Sequence, residues 1–304
     1  MVGGTSSAAE GGRAPAVGEP DAAPFSVTRA TSSDIEEQAA SLREWDQVYE
    51  QMTPGRFVGG LHEMRFAGVQ LFRESTNQAV HEAGAPWTGS RAIGVPVRLD
   101  GAARFRGEPV DTDAVVTLGS DDELDFYTPR GFEIFGLVVD ECALEAHARQ
   151  VEHRDLAVAL AGKVVFKPAP ERLSEFRRLL TSVLQSLDVN PTALQYRQTQ
   201  RVLEQSIFGA VVAVIADDGC APKTAPVCPG RRHVVDAAKA FMDSRIAEPI
   251  TVADLCRELG VSRLGRHADV RTAGEDLSRA AVHAGEGVDA EVGLLVGAAG
   301  RLGV

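Results

Sequence analysis

Apolar positions along this chain recur first at helical spacing, then in short β-prone pieces, then at helical spacing again. From Asp34 to Tyr49, the residues Ile35, Gln38, Leu42, Trp45 and Tyr49 fall three and four apart, behind a cap that Ser33 or Asp34 can supply. This stripe predicts an amphipathic helix lying on the domain that follows. Trp45 reads there as a core anchor, with a ligand-pocket wall as the alternative role. From Gly55 to Asp140 the pattern becomes β-prone, in pieces at 57–66, 69–74, 92–97, 110–118, 123–127 and 132–139. Turn signals separate them: Gly84-Ala85-Pro86, Asp100-Gly101, Arg106-Gly107 and Thr128-Pro129-Arg130-Gly131. Many short strands at such intervals predict an antiparallel sandwich or barrel, an architecture able to enclose a small ligand.

Helical spacing returns from Cys142 to Ala216. The pattern predicts one helix over 144–160, a brief extended piece at Val164-Val165-Phe166, and a second helix over 171–187. Leu173, Phe176, Leu180, Val183, Leu184 and Leu187 form the apolar face of that second helix. A third helix, 192–216, follows Asn190-Pro191, which suits a cap with proline at the first helical position. Its stretch Ile207 to Ile215 is apolar nearly all round, so it must be buried inside the subunit or against a partner. Asp217 to Arg232 has three prolines, two glycines and no periodicity, the composition of a linker. His233 to Arg245 reads as another helix, with Val234, Val235, Ala238, Phe241 and Met242 inward. Glu248 to Arg263 then reads as a complete helix, a sharp turn and the opening of a second helix. Thr251 can cap the first, with Asp254 as the acidic half of a capping box. Val252, Leu255, Cys256 and Leu259 share one face, Gly260 supplies the left-handed stop, Val261 packs back, and Ser262 can cap the next helix. This is the layout of a DNA-binding helix-turn-helix, with an ordinary helical hairpin as its plain alternative.

Composition narrows the picture. At 304 residues and 44% hydrophobic, the chain can bury two or so cores. A net charge of −12 argues against nonspecific coating of nucleic acid, though not against a small DNA-reading domain. No apolar run nears the roughly 20 residues of a membrane span, and no secretion signal is visible. The four cysteines, Cys142, Cys220, Cys228 and Cys256, form no C-x-x-C pair, which fits a reducing cytoplasm. Residues 1–30, rich in Gly, Ala, Ser and Pro, are expected to form a disordered tail. No dinucleotide, phosphate-loop, nucleophile-elbow or metalloprotease motif occurs, so no enzyme activity and no cofactor are expected. A metal site is not expected either. His62 and Glu63 should point to opposite faces of one strand, His81 falls in a predicted turn, and His147 and His153 lie six apart, expected at the surface. Arg73, Glu74 and Asn77 can contact a polar effector or simply form a solvated strand end.

The stretch P-I-T-V-A-D-L-C-R-E-L-G-V-S-R, ending at Arg263, resembles the opening of the first of two helix-turn-helix units in AraC-type bacterial transcriptional regulators. Upstream, W-x3-Y-x5-G-R-F-x-G-x-L-x-E, Q-L-F-R-E-S-T-N-Q-A-V and T-P-R-G-F-E-I-F-G-L-V-V-D resemble the N-terminal domain of the ethanolamine-operon-regulator branch. The resemblance implies an α+β chain: a cupin-like β-barrel or sandwich that senses a small-molecule effector, helices that mediate homodimerisation, and a DNA-binding domain contacting an operator. It implies domains at 31–141, 142–216 and 233–263, joined by a linker at 217–232. Thr251, Ser262 and Arg263 would be the DNA-facing residues. Beyond Arg263 the resemblance stops. Arg266 and Asp269 stand where buried residues are needed, and 264–304 contains no Phe, Tyr, Trp, Ile, Met or Lys. A change of reading frame near Arg263, leaving a truncated domain and an unrelated, disordered or weakly helical tail, is the expectation; divergence of the domain is the alternative. An effector-binding, dimerising protein without DNA binding is the second function class, and a cupin-type enzyme the third.

Overall fold

A computed structural model describes residues 23–216, 240–241, 244–245 and 250–259. The fold is α+β, with two antiparallel sheets face to face and a layer of helices on the outer face of the larger one. Seven strands make that larger sheet, in the order β1 (Phe25–Ser32), β3 (Gly59–Phe66), β4 (Val69–Thr76), β11 (Phe132–Asp140), β6 (Ser90–Arg98), β9 (Val115–Gly119) and β12 (Val165–Phe166). The smaller has five, in the order β2 (Asp46–Gln51), β5 (Val80–Ala85), β10 (Leu124–Thr128), β7 (Ala103–Phe105) and β8 (Glu108–Val110). Of the expected sandwich or barrel, the arrangement is two separate sheets and not a closed barrel. The hairpin β3–β4 turns through Ala67 and Gly68, both at positive φ (43° and 77°). β7–β8 turns the same way through Arg106 and Gly107 (48° and 80°), the mirror-image turn that matches strand twist.

Alternation divides the larger sheet's side chains between two cores. Phe135, Leu137 and Val139 of β11, with Leu71 of β4 and Ile93 and Val95 of β6, face the helices. Ile134 and Val138, with Phe72, Ala92, Val116 and Leu118, face the smaller sheet, where Phe105, Leu124 and Phe126 meet them. The helical layer comprises α2 (Glu141–Gln150), α3 (Leu156–Leu160), α4 (Pro170–Val189), a 3-10 turn at Pro191–Gln195, and α5 (Arg197–Ala216). The apolar run of α5 is buried within this subunit, Ile207, Val211 and Val212 at 0% exposure among the residues of α2, α4 and the sheet. It is therefore spent on the chain's own core, and burial of this run does not itself call for a partner.

Several expected elements differ. The predicted helix over 34–49 ends early: α1 is Ile35–Ser41, capped by the Asp34 carboxylate on the Glu36 and Glu37 amides. Glu44 then turns at φ 63°, and Asp46–Gln51 becomes β2, paired with β5. In this segment the three-and-four spacing coincided with two-residue alternation, and pairing with β5 decided the matter. Residues 25–30, assigned to the tail, instead pair as part of β1 with β3, Phe25 opposite Phe66. The single helix expected over 144–160 is two, α2 and α3, separated at His153, which sits at φ 51°. His81 lies in β5, not in a turn: its ring stacks on Tyr127 at 4.1 Å between centroids, and Nε2 lies 2.9 Å from Asp125. His147 is buried (6% exposed), edge-on to Phe208 of α5, while His153 is exposed as expected.

Candidate functional site

Between the two sheets lies a cavity of about 60 Å³. Its walls are mainly apolar, with Phe72, Phe105 and Phe126 prominent, and it also meets Trp45 and Tyr49. Backbone glycines shape it. A Cβ on Gly136 would stand 2.0 Å from the Phe72 ring, and one on Gly94 2.7 Å from Val116. Any side chain at either position would force those walls to move. Trp45 is thus at once a wall and an anchor: its Nε1 donates to Gln70 Oε1 at 3.0 Å, and its ring meets Phe72 edge-on.

Two carboxyl groups enter this apolar space, one from each sheet. Glu74 of β4 is 2% exposed and Glu82 of β5 is 6% exposed. The inward phase of alternation places both, Glu74 beside Phe72 along its strand and Glu82 beside Val80. Register puts Glu82 directly opposite Tyr49 on one side and Phe126 on the other. The two groups are treated differently by their neighbours. Glu74 Oε1 accepts from Gln38 Nε2 at 2.8 Å, and the Tyr49 hydroxyl donates to both of its oxygens at 3.1–3.2 Å. Glu82 Oε1 is buried without a hydrogen-bond partner. Burial pushes the Glu74 carboxyl up to about 7 against the pull of its Gln38 and Tyr49 donors. Burial also drives Glu82 well above the usual range, and the Glu74 charge adds to this. The Tyr49 hydroxyl is raised in turn, by burial and then by both carboxylates. No Lys, Arg or His lines the cavity among the described residues.

Of the three residues expected to contact a polar effector, the structure brings only Glu74 to this cavity. Arg73 is half-exposed on the other face of β4, bonded to Glu133 at 2.6 Å. Asn77 braces the turn through the Val58 amide and the Arg56 carbonyl. The sequence pattern does not mark Glu82, because the Gly84-Ala85-Pro86 turn signal overlaps the end of β5 and masks the inward alternation of Val80 and Glu82. His62 and Glu63 do face opposite ways. His62 Nε2 lies 3.0 Å from Asp188 of α4, whereas Glu63 accepts from Gln70 inside the sandwich. Among the described residues, no three His, Cys, Asp or Glu side chains gather as a cation ligand set.

The second candidate region is α6, Val252–Leu259. Its start is closed reciprocally. The Thr251 amide and hydroxyl donate to Asp254 Oδ2 at 3.0 and 2.7 Å, and the Asp254 amide donates to Thr251 Oγ1 at 3.2 Å. Asp254 also accepts from Arg201 of α5 at 2.6 Å and from Arg257 at 2.9 Å. Burial pushes the Asp254 carboxyl upward, but the Thr251 donors, then Arg201 and Arg257, hold it below the usual range. Ala253 and Cys256 pack with Val151 at the end of α2. Leu255 and Cys256 are buried and Leu259 is half-buried, as the helical stripe requires. Val252, expected on the same face, is 42% exposed, because the helix turns Ala253 inward instead. Thr251 is buried at 6%, with its hydroxyl occupied by the cap. Gly260, Val261, Ser262 and Arg263, the linker 217–232, most of the helix over 233–245, and the tail after Arg263 lie outside the described residues.

No helix among the described residues is long and apolar enough to cross a membrane. No family model matches the chain. Among solved structures it is similar to the AraC-like transcriptional activator CuxR. That likeness has 14% identity and a TM-score of 0.46, and it covers 86% of this chain and 96% of that one. It is also similar, at 16% identity and a TM-score of 0.23, to the conserved protein of unknown function PA5104 from Pseudomonas aeruginosa PAO1, over 32% of this chain and 55% of that chain. Neither likeness carries an assignment of activity.

Proposed function

We propose that this chain is a small-molecule-responsive transcriptional regulator of the AraC type. In this reading the cupin-like sandwich holds an effector in its inter-sheet cavity, the helical layer supports a homodimer, and residues 250–263 open a helix-turn-helix. The observation that carries it is the reciprocal Thr251–Asp254 cap on α6, docked through Arg201, Ala253 and Cys256, with Gly260-Val261-Ser262-Arg263 next in the chain. Thr251 then acts as a positioning residue whose hydroxyl fixes the helix start. Ser262 and Arg263 open the recognition helix, with Arg263 nearest to phosphate or a base edge. The proposal assigns no catalytic step and no cofactor to the chain, and places it in the cytoplasm.

A mobility-shift titration of the purified full chain on its own upstream DNA, against unrelated competitor DNA, tests this. Retardation that survives a large excess of competitor is the expected result, and it is lost on replacing Arg263 by Ala. Retardation that competitor removes equally well would sink the proposal. A second reading, an effector-binding dimer that does not bind DNA, is favoured by charge: residues 231–304 carry ten Arg and Lys against eleven Asp and Glu. The same titration decides between them.

A further inference from the structure

We infer that the inter-sheet cavity binds a small organic cation bearing N–H donors, of the alkylammonium or amidinium class, between the Glu74 and Glu82 carboxylates. This rests on the reading of the cavity as a ligand site, and it goes further by naming the chemistry of what enters. The first argument is the Glu82 oxygen. Glu82 lines the cavity, and its Oε1 is buried there with no hydrogen-bond partner, a state that native proteins rarely leave without a reason. In its ionised form this carboxyl accepts only, so the partner that form lacks is a donor. The second argument is charge. Two carboxyl groups enter one apolar space with Tyr49 and no basic side chain among the described lining residues. Burial of two such groups is tolerable only when protons or a cation balance them. The third is the aromatic wall. Trp45, Phe72 and Tyr49 border the same space, and their faces attract an organic cation. The fourth is size: about 60 Å³ admits on the order of four to five non-hydrogen atoms, given roughly 10–15 Å³ for one water on the same measure.

Protons and cation compete for this site. Tyr49 on β2, Glu74 on β4 and Glu82 on β5 are the titratable groups facing it, and Gln38 of α1 and Gln47 of β2 add neutral polar groups. With no ligand, burial keeps the carboxyl pair partly protonated at neutral pH. An entering ammonium supplies the positive charge and N–H donors, the pair ionises, and the displaced proton passes to solvent. Binding therefore releases protons and tightens as pH rises from about 6 to 8.

Isothermal titration of the full-length protein with n-propylammonium and with acetamidinium tests this directly, without DNA. For ligands of four non-hydrogen atoms the expected Kd is about 10⁻⁴ to 10⁻³ M. Tetramethylammonium, n-propanol and propionate serve as controls lacking N–H donors, charge and positive charge respectively, and are expected not to bind. Glu82→Gln is expected to weaken n-propylammonium binding at least about tenfold. Wild-type titrations in phosphate and in a bulky zwitterionic sulfonate buffer such as HEPES should differ in heat by the release of about one proton. That last measurement needs no variant, so it holds even if Glu82→Gln fails to fold. Binding of neither cation, equal binding of any control, an unchanged Kd in a folded Glu82→Gln protein, or no proton release would each overturn the inference. Cation binding by a chain that does not retard its upstream DNA would leave this inference standing and remove the regulator reading; DNA retardation without cation binding would do the reverse.

Discussion

Two residues show what this cavity costs the fold. Glu74 has donors from Gln38 and Tyr49, yet its carboxyl is raised from 4.5 to about 7. Because the folded state then holds a proton that the unfolded chain has lost, stability from this group is intact below pH 4.5 and drains away as pH rises through 7. The loss approaches about 3 kcal/mol. Glu82 is raised in the same direction and lacks even a hydrogen bond on Oε1. Replacing it by Gln keeps the shape, removes the ionisation and lets the amide turn a donor or an acceptor to its surroundings. We expect Glu82→Gln to match wild type at pH 4.5–5 and to be more stable by about 1–3 kcal/mol at pH 8. By thermal melting this is a rise of about 2–4 °C per kcal/mol. Equal melting temperatures at pH 8 would mean that the Glu82 carboxyl is not desolvated. Such a gain on removing a side chain is the mark of a group kept for what it binds rather than for the fold.

At the scale of elements, the strands were legible where alternation stood alone and not where it overlapped helical spacing. Phe132–Asp140 alternates cleanly between Ile134 or Val138 and Phe135 or Leu137, and its strand lies within a residue of the expected 132–139. Asp46–Gln51 reads equally well as the end of a helix. Its fate as β2 depends on pairing with β5 and on Glu44 entering the left-handed region without a glycine to announce it. The site was half legible for the same reason: Glu74 lies in a clear strand, whereas Glu82 lies in one hidden by a turn signal. His147 was misplaced because a histidine on a helix carries no mark of which face α5 will cover. The α6 cap was fully legible, since Thr251 and Asp254 stand three apart and local geometry does the rest. That geometry predicts an ordering of variants. Asp254→Ala removes the cap and two ion-pair contacts at once, worth about 1–2 kcal/mol. Arg201→Ala removes only a contact from a side chain that is 44% exposed, worth about 0.5 kcal/mol or less. Hydrogen exchange across 252–259 should therefore accelerate at least about fivefold in Asp254→Ala and little in Arg201→Ala. The Asp254 effect should begin to fade as pH falls below the ordinary aspartate value of about 3.8 and be lost as pH falls through the folded carboxyl's own, lower value. The reverse order would place the docking of α6 in the Arg201 pair instead of the cap.

Across the whole molecule, the larger sheet is a shared wall: one face lines the cavity, and the other carries the helices on which α6 is docked. Close-packed cores transmit displacements rather than absorb them, so under the proposed function an occupant of the cavity would act on Arg201 and Val151 through this sheet. What the far end can do with DNA is bounded by charge. The chain carries −12 in total, and residues 231–304 hold ten basic against eleven acidic side chains. Within 250–263, Arg257 and Arg263 are offset by Asp254 and Glu258, and Arg257 is already bonded to Asp254. A protein that neutralises Z phosphates loses affinity with a slope of about −0.9Z in log K against log salt. With basic and acidic side chains so nearly balanced in residues 231–304, specific binding by this chain should show a slope no steeper than about −3, and an affinity resting on base contacts more than on phosphate neutralisation. Fluorescence anisotropy on upstream DNA between about 50 and 200 mM salt measures it. A shallow slope with sequence preference fits a domain that reads DNA through a small docked surface. A slope steeper than about −4 would require a basic face that the charge of residues 231–304 does not supply, and would move the DNA contact to another part of the molecule.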